Sequence, residues 1–468
     1  MLSSPMRAFR NSSACILSAI EGGLRPCSSA ASARGAAGQP WRDNAGAGLP
    51  LCARKSRDNF SGLSATEPRA RRLFGRMNAL RPPSLPFPPA LGSLAAVAIP
   101  VRNEAERIGA CLDALAAQRE AGPFAVLLLL NGCTDTTEAV VRARAAALPF
   151  RLVLRRARLP ATYAHAGEAR ARAMEAAAAL LERGGCGEGL LLTTDADSRV
   201  APDWLAATRA EISAGAEAVA GWVEHEPQEA ARLPPALAGR IALENAYEAL
   251  LAELEARLDP LPGDLWPRHR MSSGASLAVR LSTFRRVGGL PRVPAGEDRA
   301  FCAALAAADI RLRHSLAVRV RTACRTEGRA TGGAADTLRR QLAEPGLACD
   351  PMLEPAGLAR RRWQVRAALR RHHAAGDALG LLAMARHLRL HWREAESWLG
   401  RPFGSLWEAA ERESLLLMRR PLHPAQLPEE IAHARALLAE MVRPGAADPA
   451  GSVPCVPAAP PEALESWP

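Results

Sequence analysis

Two aspartates, Asp195 and Asp197, flank a single alanine just after the apolar run Gly189-Leu-Leu-Leu192 and the pair Thr193-Thr194. Residues i and i+2 of an extended segment point the same way, so both carboxylates face one site at a strand's end. Anionic oxygens there suit a hard divalent cation, Mg2+ or Mn2+, that takes further ligands from a phosphate. The competing reading is an acidic turn in which Asp197 caps the helix beginning at Pro202. A second pair, Glu297-Asp298, follows Pro294-Ala-Gly296 and opens a helix. The helix dipole stabilises an anion at that end, so capping is one role. The other is a general base that takes the proton of an acceptor hydroxyl. Arg325 and Arg329 bracket Thr326-Glu-Gly328 in a Gly-rich stretch, which either closes over phosphates or is simply solvated. Arg170, two residues after Glu168, sits in a predicted helix whose plain reading is a solvated face.

An alternation of apolar runs and helix-periodic stretches must position these groups. Leu94–Ile99 predicts a buried strand ended by Pro100. Asn103 with Glu106 has the spacing of a capping box, ahead of Ile108, Cys111, Leu112 and Leu115 at helical intervals. Further strands are predicted at Phe124–Leu130, Leu152–Leu154, Gly189–Thr194, Ala216–Trp222 and Leu312–Val320. Helices are predicted at Thr136–Ala147, Glu168–Glu182, from Pro202, and at Ala236–Leu258, Ser282–Val287 and Glu297–Ala308. Such alternation with short connections implies an α/β fold with a mostly parallel, Rossmann-like sheet covered on both faces. Ligands bind beyond the carboxyl ends of such strands. Arg102–Glu104, Asn131–Asp135 and Asp195–Asp197 each follow an apolar strand and should converge on one rim. The division expected is a disordered segment over 1–90, the α/β domain over 91–335, a helical region over 336–445 and a disordered tail over 446–468.

The net charge of +12 does not mark a nucleic-acid surface. Residues 1–76 hold twelve Lys/Arg against four Asp/Glu, so two thirds of the excess lies in a Ser-, Gly-, Ala- and Pro-rich segment that Met77 could even replace as the start. No run approaches the ~20 apolar residues of a membrane helix. Ten cysteines without a CxxC pair or framework fit a reduced, cytoplasmic compartment. The Arg360–Arg371 cluster is compatible with peripheral contact at the inner membrane surface, with a solvated helix face as the safer reading. Gly184-Gly-Cys-Gly-Glu-Gly189 precedes a strand and so fails as a phosphate loop, and His269, His314 and His372-His373 lack metal-ligand spacing.

Six short segments in order resemble a family 2 glycosyltransferase. They are Ala98-Ile-Pro-Val-Arg-Asn-Glu104, Asn131-Gly-Cys-Thr-Asp135, Ala169-Arg-Ala-Arg-Ala-Met174, Thr194-Asp-Ala-Asp197, Ser273-Gly-Ala-Ser276 with Gly288-Gly289, and Gly296-Glu-Asp298. The resemblance covers Leu94 to Arg329 and implies the GT-A fold that binds nucleotide-diphospho-sugars, with a helical C-terminal extension. By that resemblance Pro100 and Glu104 line the nucleotide pocket. Asn131 stands where many members have an aspartate that reads the base, and an asparagine also hydrogen-bonds uracil. Asp135 becomes a helix cap. Arg170 matches the arginine near the nucleotide, with Ala171 replacing the usual asparagine. Asp195 approaches ribose or diphosphate and Asp197, of the DXD motif, holds the metal. Asp298 matches the catalytic base, with Glu297 beside it.

The implied reaction is a single in-line displacement with inversion, from a UDP-sugar to a lipid, glycan or small-molecule acceptor. The metal and arginines such as Arg325 and Arg329 offset charge on the departing diphosphate. A nucleotidyltransferase, which needs no base at Asp298, is the alternative enzyme, and a non-catalytic binding domain of the same fold is the third reading. The loops His225–Pro235 and Asp259–Arg270 are where acceptor choice would lie.

Overall fold

Runs that are apolar at every position become strands buried on both faces. In the computed structural model these are β1 (Ala95–Val101), β2 (Phe124–Asn131) and β4 (Leu190–Thr193), with β3 (Arg151–Ala157) outside β2. The structure describes residues 94–160, 163, 165–328, 332–391, 393, 397–398 and 400–442. The expected terminal segments 1–90 and 446–468, Met77 and Arg329 lie outside the described residues. The remaining strands are β5 (Arg199–Val200), β6 (Ala218–His225), β7 (Leu277–Arg280) and β8 (Leu312–Thr322).

These eight form one sheet in the order β3-β2-β1-β4-β7-β6-β8-β5. The β1, β2, β3 and β4 pairings are parallel, as is β6 with β8. β7 runs against both neighbours and β5 against β8. The sheet is therefore mixed, with its parallel half carrying the rim predicted from sequence. β7 was assigned to no element from sequence. It is four residues long, and its extended state comes from pairing on both sides. Pro100 does not end β1 as predicted. Pairing with β4 stops at Ala98↔Thr193, so Pro100 continues the strand where that ladder has already ended and its missing donor is tolerated.

Alternate strand residues feed two cores. Val97, Ile99, Val126 and Leu128 pack with α1 (Ile108–Ala116), α2 (Thr137–Ala145) and α4 (Trp204–Ser213). Ala96, Ala98, Leu127 and Leu129 pack on the other face with α3 (Ala166–Arg183), α7 (Leu281–Arg286) and α8 (Glu297–Ala307). Alanines on both β1 and α3 let that helix lie close on the sheet. Asn103 is not a helix cap. It takes a left-handed φ of 54°, and its Oδ1 accepts the Thr134 N–H at 2.8 Å, tying the turn after β1 to the turn after β2.

Downstream lie α5 (Pro227–Ala230), α6 (Pro235–Leu258), α9 (Ala334–Ala343), α10 (Ala356–Ala374), α11 (Ala378–His387), α12 (Phe403–Glu413) and α13 (Leu427–Val442). The arginine cluster of α10 is not the solvated face expected. Arg366 bonds Glu255 at 2.7 Å, Arg370 bonds Asp259 at 2.9 Å, and Arg362, 4% exposed, forks onto Glu354 at 2.6 and 2.9 Å. The Arg366 and Arg370 pairs join α10 to the C-terminal end of α6, while Arg361 and Arg371 face outward. α12 docks on α8, where Asp309 accepts the Phe403 and Gly404 N–H groups at 2.7 Å each.

Candidate active site

The three polar clusters expected on one rim do converge. A cleft of about 530 Å³ opens beyond β1, β2 and β4 and is lined by Pro100, Glu104, Asn131, Arg170, Asp195, Asp197, Glu297, Asp298 and Arg325. Asp135 is not in its lining. Asp135 instead accepts the Thr137 N–H at 3.0 Å and the Ala105 N–H at 3.1 Å, one residue ahead of Thr136, the N-cap position of α2. Asp197 does not cap α4, whose N-cap position is Asp203.

Arg170 is the centre of the arrangement and is not solvated. It is 6% exposed in the first turns of α3. Its Nη2 donates to Asp195 Oδ1 at 2.7 Å and its Nε to Glu297 Oε1 at 2.9 Å. Its Nη1 donates to Thr193 Oγ1 at 3.1 Å and to the Gly274 carbonyl at 2.9 Å. One guanidinium thus joins the carboxylate after β4, the carboxylate opening α8 and the turn before β7. Its neighbouring carboxylates outweigh the desolvation and hold its proton more firmly than usual.

Glu297 and Asp298 are adjacent but differently placed. Glu297 is 5% exposed and spent on Arg170. Asp298 is half-buried, with Oδ2 accepting the Gly274 N–H at 2.9 Å and Oδ1 the Arg299 N–H at 2.8 Å. Gly296 turns the chain into α8 with a φ of 71°, which favours glycine. The loop before it is held by α3. Glu168, 2% exposed, accepts Arg292 at 2.7 Å and Arg172 at 2.6 Å. A Cβ on Gly167 would come within 2.1 Å of the Val293 carbonyl oxygen.

At the opposite wall Arg325 links two carboxylates. Its Nη2 lies 2.7 Å from Glu104 Oε1 and 2.8 Å from Asp197 Oδ2. Burial, reinforced by the nearby Asp195, pushes the Asp197 carboxyl up to about 6, against the pull of Arg325. Glu104 is 7% exposed, its N–H given to Thr137 Oγ1 at 2.8 Å. Asn131, 6% exposed, ends β2 with Oδ1 accepting the Leu159 N–H at 3.4 Å. Among the described residues no three His, Cys, Asp or Glu side chains form a complete metal cage.

Sequence reasoning missed three contributors. His165 caps α3, its ring nitrogen Nδ1 accepting the Glu168 N–H at 3.1 Å, and it lines the cleft. A His-x-x-Glu spacing ahead of an Ala-rich run was the available signal. Glu168 and Arg172 have helical i,i+4 spacing, whereas the Arg292 partner of Glu168 and the Arg170 and Asp298 partners of Gly274 lie far from them along the chain.

Residues 96–259 match the family model described as glycosyl transferase family 2. Glu297 and Asp298 lie beyond that span. A search of curated proteins found no significant match. Among solved structures, the mannosyltransferase PcManGT from Pyrobaculum calidifontis in complex with GDP-Man and Mn2+ is 21% identical over 69% of this chain and 86% of that one, with a TM-score of 0.36. S. aureus TarS 1–349 in complex with UDP-GlcNAc is 15% identical over 74% and 88%, with a TM-score of 0.36. Glucosyl-3-phosphoglycerate synthase from Mycobacterium tuberculosis in complex with phosphoglyceric acid is 16% identical over 48% and 70%, with a TM-score of 0.29. The rim of carboxylates after β1 and β4 lies within the stretch that matches: residues 96–259 resemble a glycosyl transferase family 2 domain.

Proposed function

We propose that the chain transfers a sugar from a UDP-sugar to an acceptor hydroxyl with inversion, and that it does so with a divalent cation bound. The observation that carries this reading is the Arg170 junction, which couples the Asp195 side of the cleft to the helix turn bearing Asp298. The base end of the donor lies along Pro100, Glu104 and Asn131. Arg170 supports this cleft from beneath, with four of its N–H bonds given to protein oxygens.

Asp298 receives the acceptor proton. Two backbone N–H groups fix its carboxylate, leaving lone pairs on both oxygens for a hydroxyl in the cleft. Glu297 is a framework carboxylate in this scheme, because its charge is met by Arg170. Arg325 faces the diphosphate, and the expected Arg329 lies outside the described residues.

The residues fit Mg2+ or Mn2+. The available donors are carboxylate oxygens, Asp197 and Asp195, and a cationic guanidinium already sits against Asp197 Oδ2 at 2.8 Å. An incomplete protein shell suits an ion that fills its coordination from diphosphate and water. When bound, such an ion supplies positive charge to the leaving diphosphate. The acceptor is a hydroxyl compound of lipid, glycan or small-molecule class. Among the described residues no helix is long and apolar enough to cross a membrane.

A thermal-shift screen of nucleotide sugars with and without Mn2+ tests donor binding, which raises apparent stability by mass action. Asp298→Asn should keep that shift and lose ~100-fold or more of nucleoside-diphosphate release. Retained turnover in Asp298→Asn would refute its role as base. Absence of any Mn2+-dependent shift with every nucleotide sugar would refute the reading as a whole.

A further inference from the structure

Eight large apolar side chains are conspicuously exposed among the described residues, and four lie between positions 379 and 418: Leu379 at 79%, Leu382 at 36%, Leu415 at 81% and Met418 at 57%. They belong to two neighbouring segments. Leu379 and Leu382 lie on the outer face of α11, on which Ala383, Arg386 and, just past the helix, Arg389 are also exposed. The inner face of the same helix is spent on the core through Leu381, Met384 and Ala385. Leu415 and Met418 flank a tight turn, Leu415–Leu417, whose Leu417 alone is turned in. The Ser414 hydroxyl donates to the Leu388 carbonyl at 2.8 Å, which sets this turn beside the C-terminal end of α11.

Exposed charge beside these leucines is mostly positive, although Glu413, bound to Arg412 at 2.9 Å, is exposed two residues before Leu415. No acidic residue occurs between Asp377 and Arg393, a stretch that contains Arg386 and Arg389. The turn is followed by Arg419-Arg420, with Arg420 exposed. An apolar tip surrounded by arginine is what an interfacial element needs, since the leucines enter the acyl boundary while guanidinium groups meet anionic headgroups. A second copy of the chain would bring arginine against arginine, so self-association is opposed by the same charges. We propose that the outer face of α11 and the Leu415–Met418 turn form a docking surface for an anionic lipid bilayer. The inference does not depend on the donor or the acceptor.

The experiment is co-sedimentation of the full chain with vesicles of neutral phosphatidylcholine, and with vesicles in which about 30% is phosphatidylglycerol. Residues 1–76 are themselves basic, with twelve Lys/Arg against four Asp/Glu, and would add anionic-lipid binding of their own. The variants therefore keep that segment unchanged. The wild type should prefer anionic vesicles by ~10-fold or more, and lose affinity as salt rises. Leu379→Glu with Leu415→Glu should lose ~10-fold or more of that binding while melting like the wild type, because both positions are exposed. Arg386→Gln with Arg389→Gln should reduce the salt dependence and serves as the check if the leucine variant misfolds. The proposal is overturned if the wild type binds neither vesicle, if it binds both equally, or if a folded variant of either pair binds as the wild type does.

Discussion

Replacing Arg170 with methionine keeps most of the buried stem and removes the fork. Glu297, 5% exposed, is then left without its cation, and Asp195 Oδ1, Thr193 Oγ1 and the Gly274 carbonyl each lose a donor. Breaking a buried pair from one side costs ~3–5 kcal/mol, most of it the penalty of an uncompensated charge. The individual bonds, ~1.5–3 kcal/mol for each charged acceptor, are not to be added to that figure, because they describe the same loss. An apparent destabilisation of ~3–5 kcal/mol should lower the melting temperature by roughly 6–20 °C at ~2–4 °C per kcal/mol. Urea titrations followed by circular dichroism on wild type, Arg170→Met, Glu297→Gln and the double variant give the coupling. The double variant has no stranded carboxylate at 297, so it should recover ~1–3 kcal/mol relative to additivity. Arg170→Lys should behave nearer to the methionine variant than to the wild type, since a single ammonium cannot reach Glu297, Asp195 and Gly274 together. A methionine variant within ~1 kcal/mol of wild type, or a cycle with coupling below ~0.5 kcal/mol, would show that the junction is not what holds the two stations.

Asp197→Ala should leave the melting temperature nearly unchanged but remove the Mn2+ dependence of UDP binding, measured by calorimetry; equal affinity with and without the carboxylate would return Asp197 to an acidic turn. Arg325→Gln should move two affinities in opposite directions. Mn2+ alone should bind more tightly, because no guanidinium then competes for Asp197 and Glu104, whereas UDP with Mn2+ should bind more weakly. Both moving together would refute the exchange of partners. His269, 3% exposed, is pushed down to about 3 by burial with help from His314. It stays neutral in the fold while the unfolded residue titrates near ~6.5, so stability is lost as pH falls below ~6.5, at up to ~1.4 kcal/mol per pH unit. His269→Asn, whose Oδ1 can replace Nδ1 as acceptor for the Met271 N–H, should flatten urea midpoints between pH ~6.5 and ~4. An unchanged slope would assign the acid sensitivity elsewhere.

The parts of the fold that could be read from sequence are those whose partners are local or whose environment is uniform. β1, β2 and β4 are buried on both faces, so their burial is written as continuous apolar runs. β7 has only Leu277-Ala-Val-Arg280, and its extended form is imposed by strands that precede it by more than 50 residues. Asn103 and Glu106 have the spacing of a cap, yet Asn103 is held by Thr134, 31 residues away, in a left-handed conformation that asparagine tolerates. The arginines of α10 show the same limit. Sequence shows their charge, but Glu255 and Asp259, which bury that charge, lie 111 residues upstream of Arg366 and Arg370.

Within the site, the carboxylates were legible because each follows a readable strand or opens a readable helix. Arg170 was readable as a residue near the nucleotide only through resemblance, and its burial was not readable at all. Its record in the sequence is negative. Ala166, Gly167, Ala169, Ala171 and Ala173 surround it with almost no side-chain volume, broken only by Glu168 and Arg172. A Cβ on Gly167 would strike the loop that leads to Asp298 at 2.1 Å, and one on Gly274 would lie 2.4 Å from the Arg170 Cζ. Gly274 is therefore small because the arginine is inside, and Gly167 because the loop to Asp298 passes against it. A charged residue in a predicted helix whose neighbours are stripped to alanine and glycine is better read as a buried junction than as a solvated face, since a solvated face has no need of small neighbours.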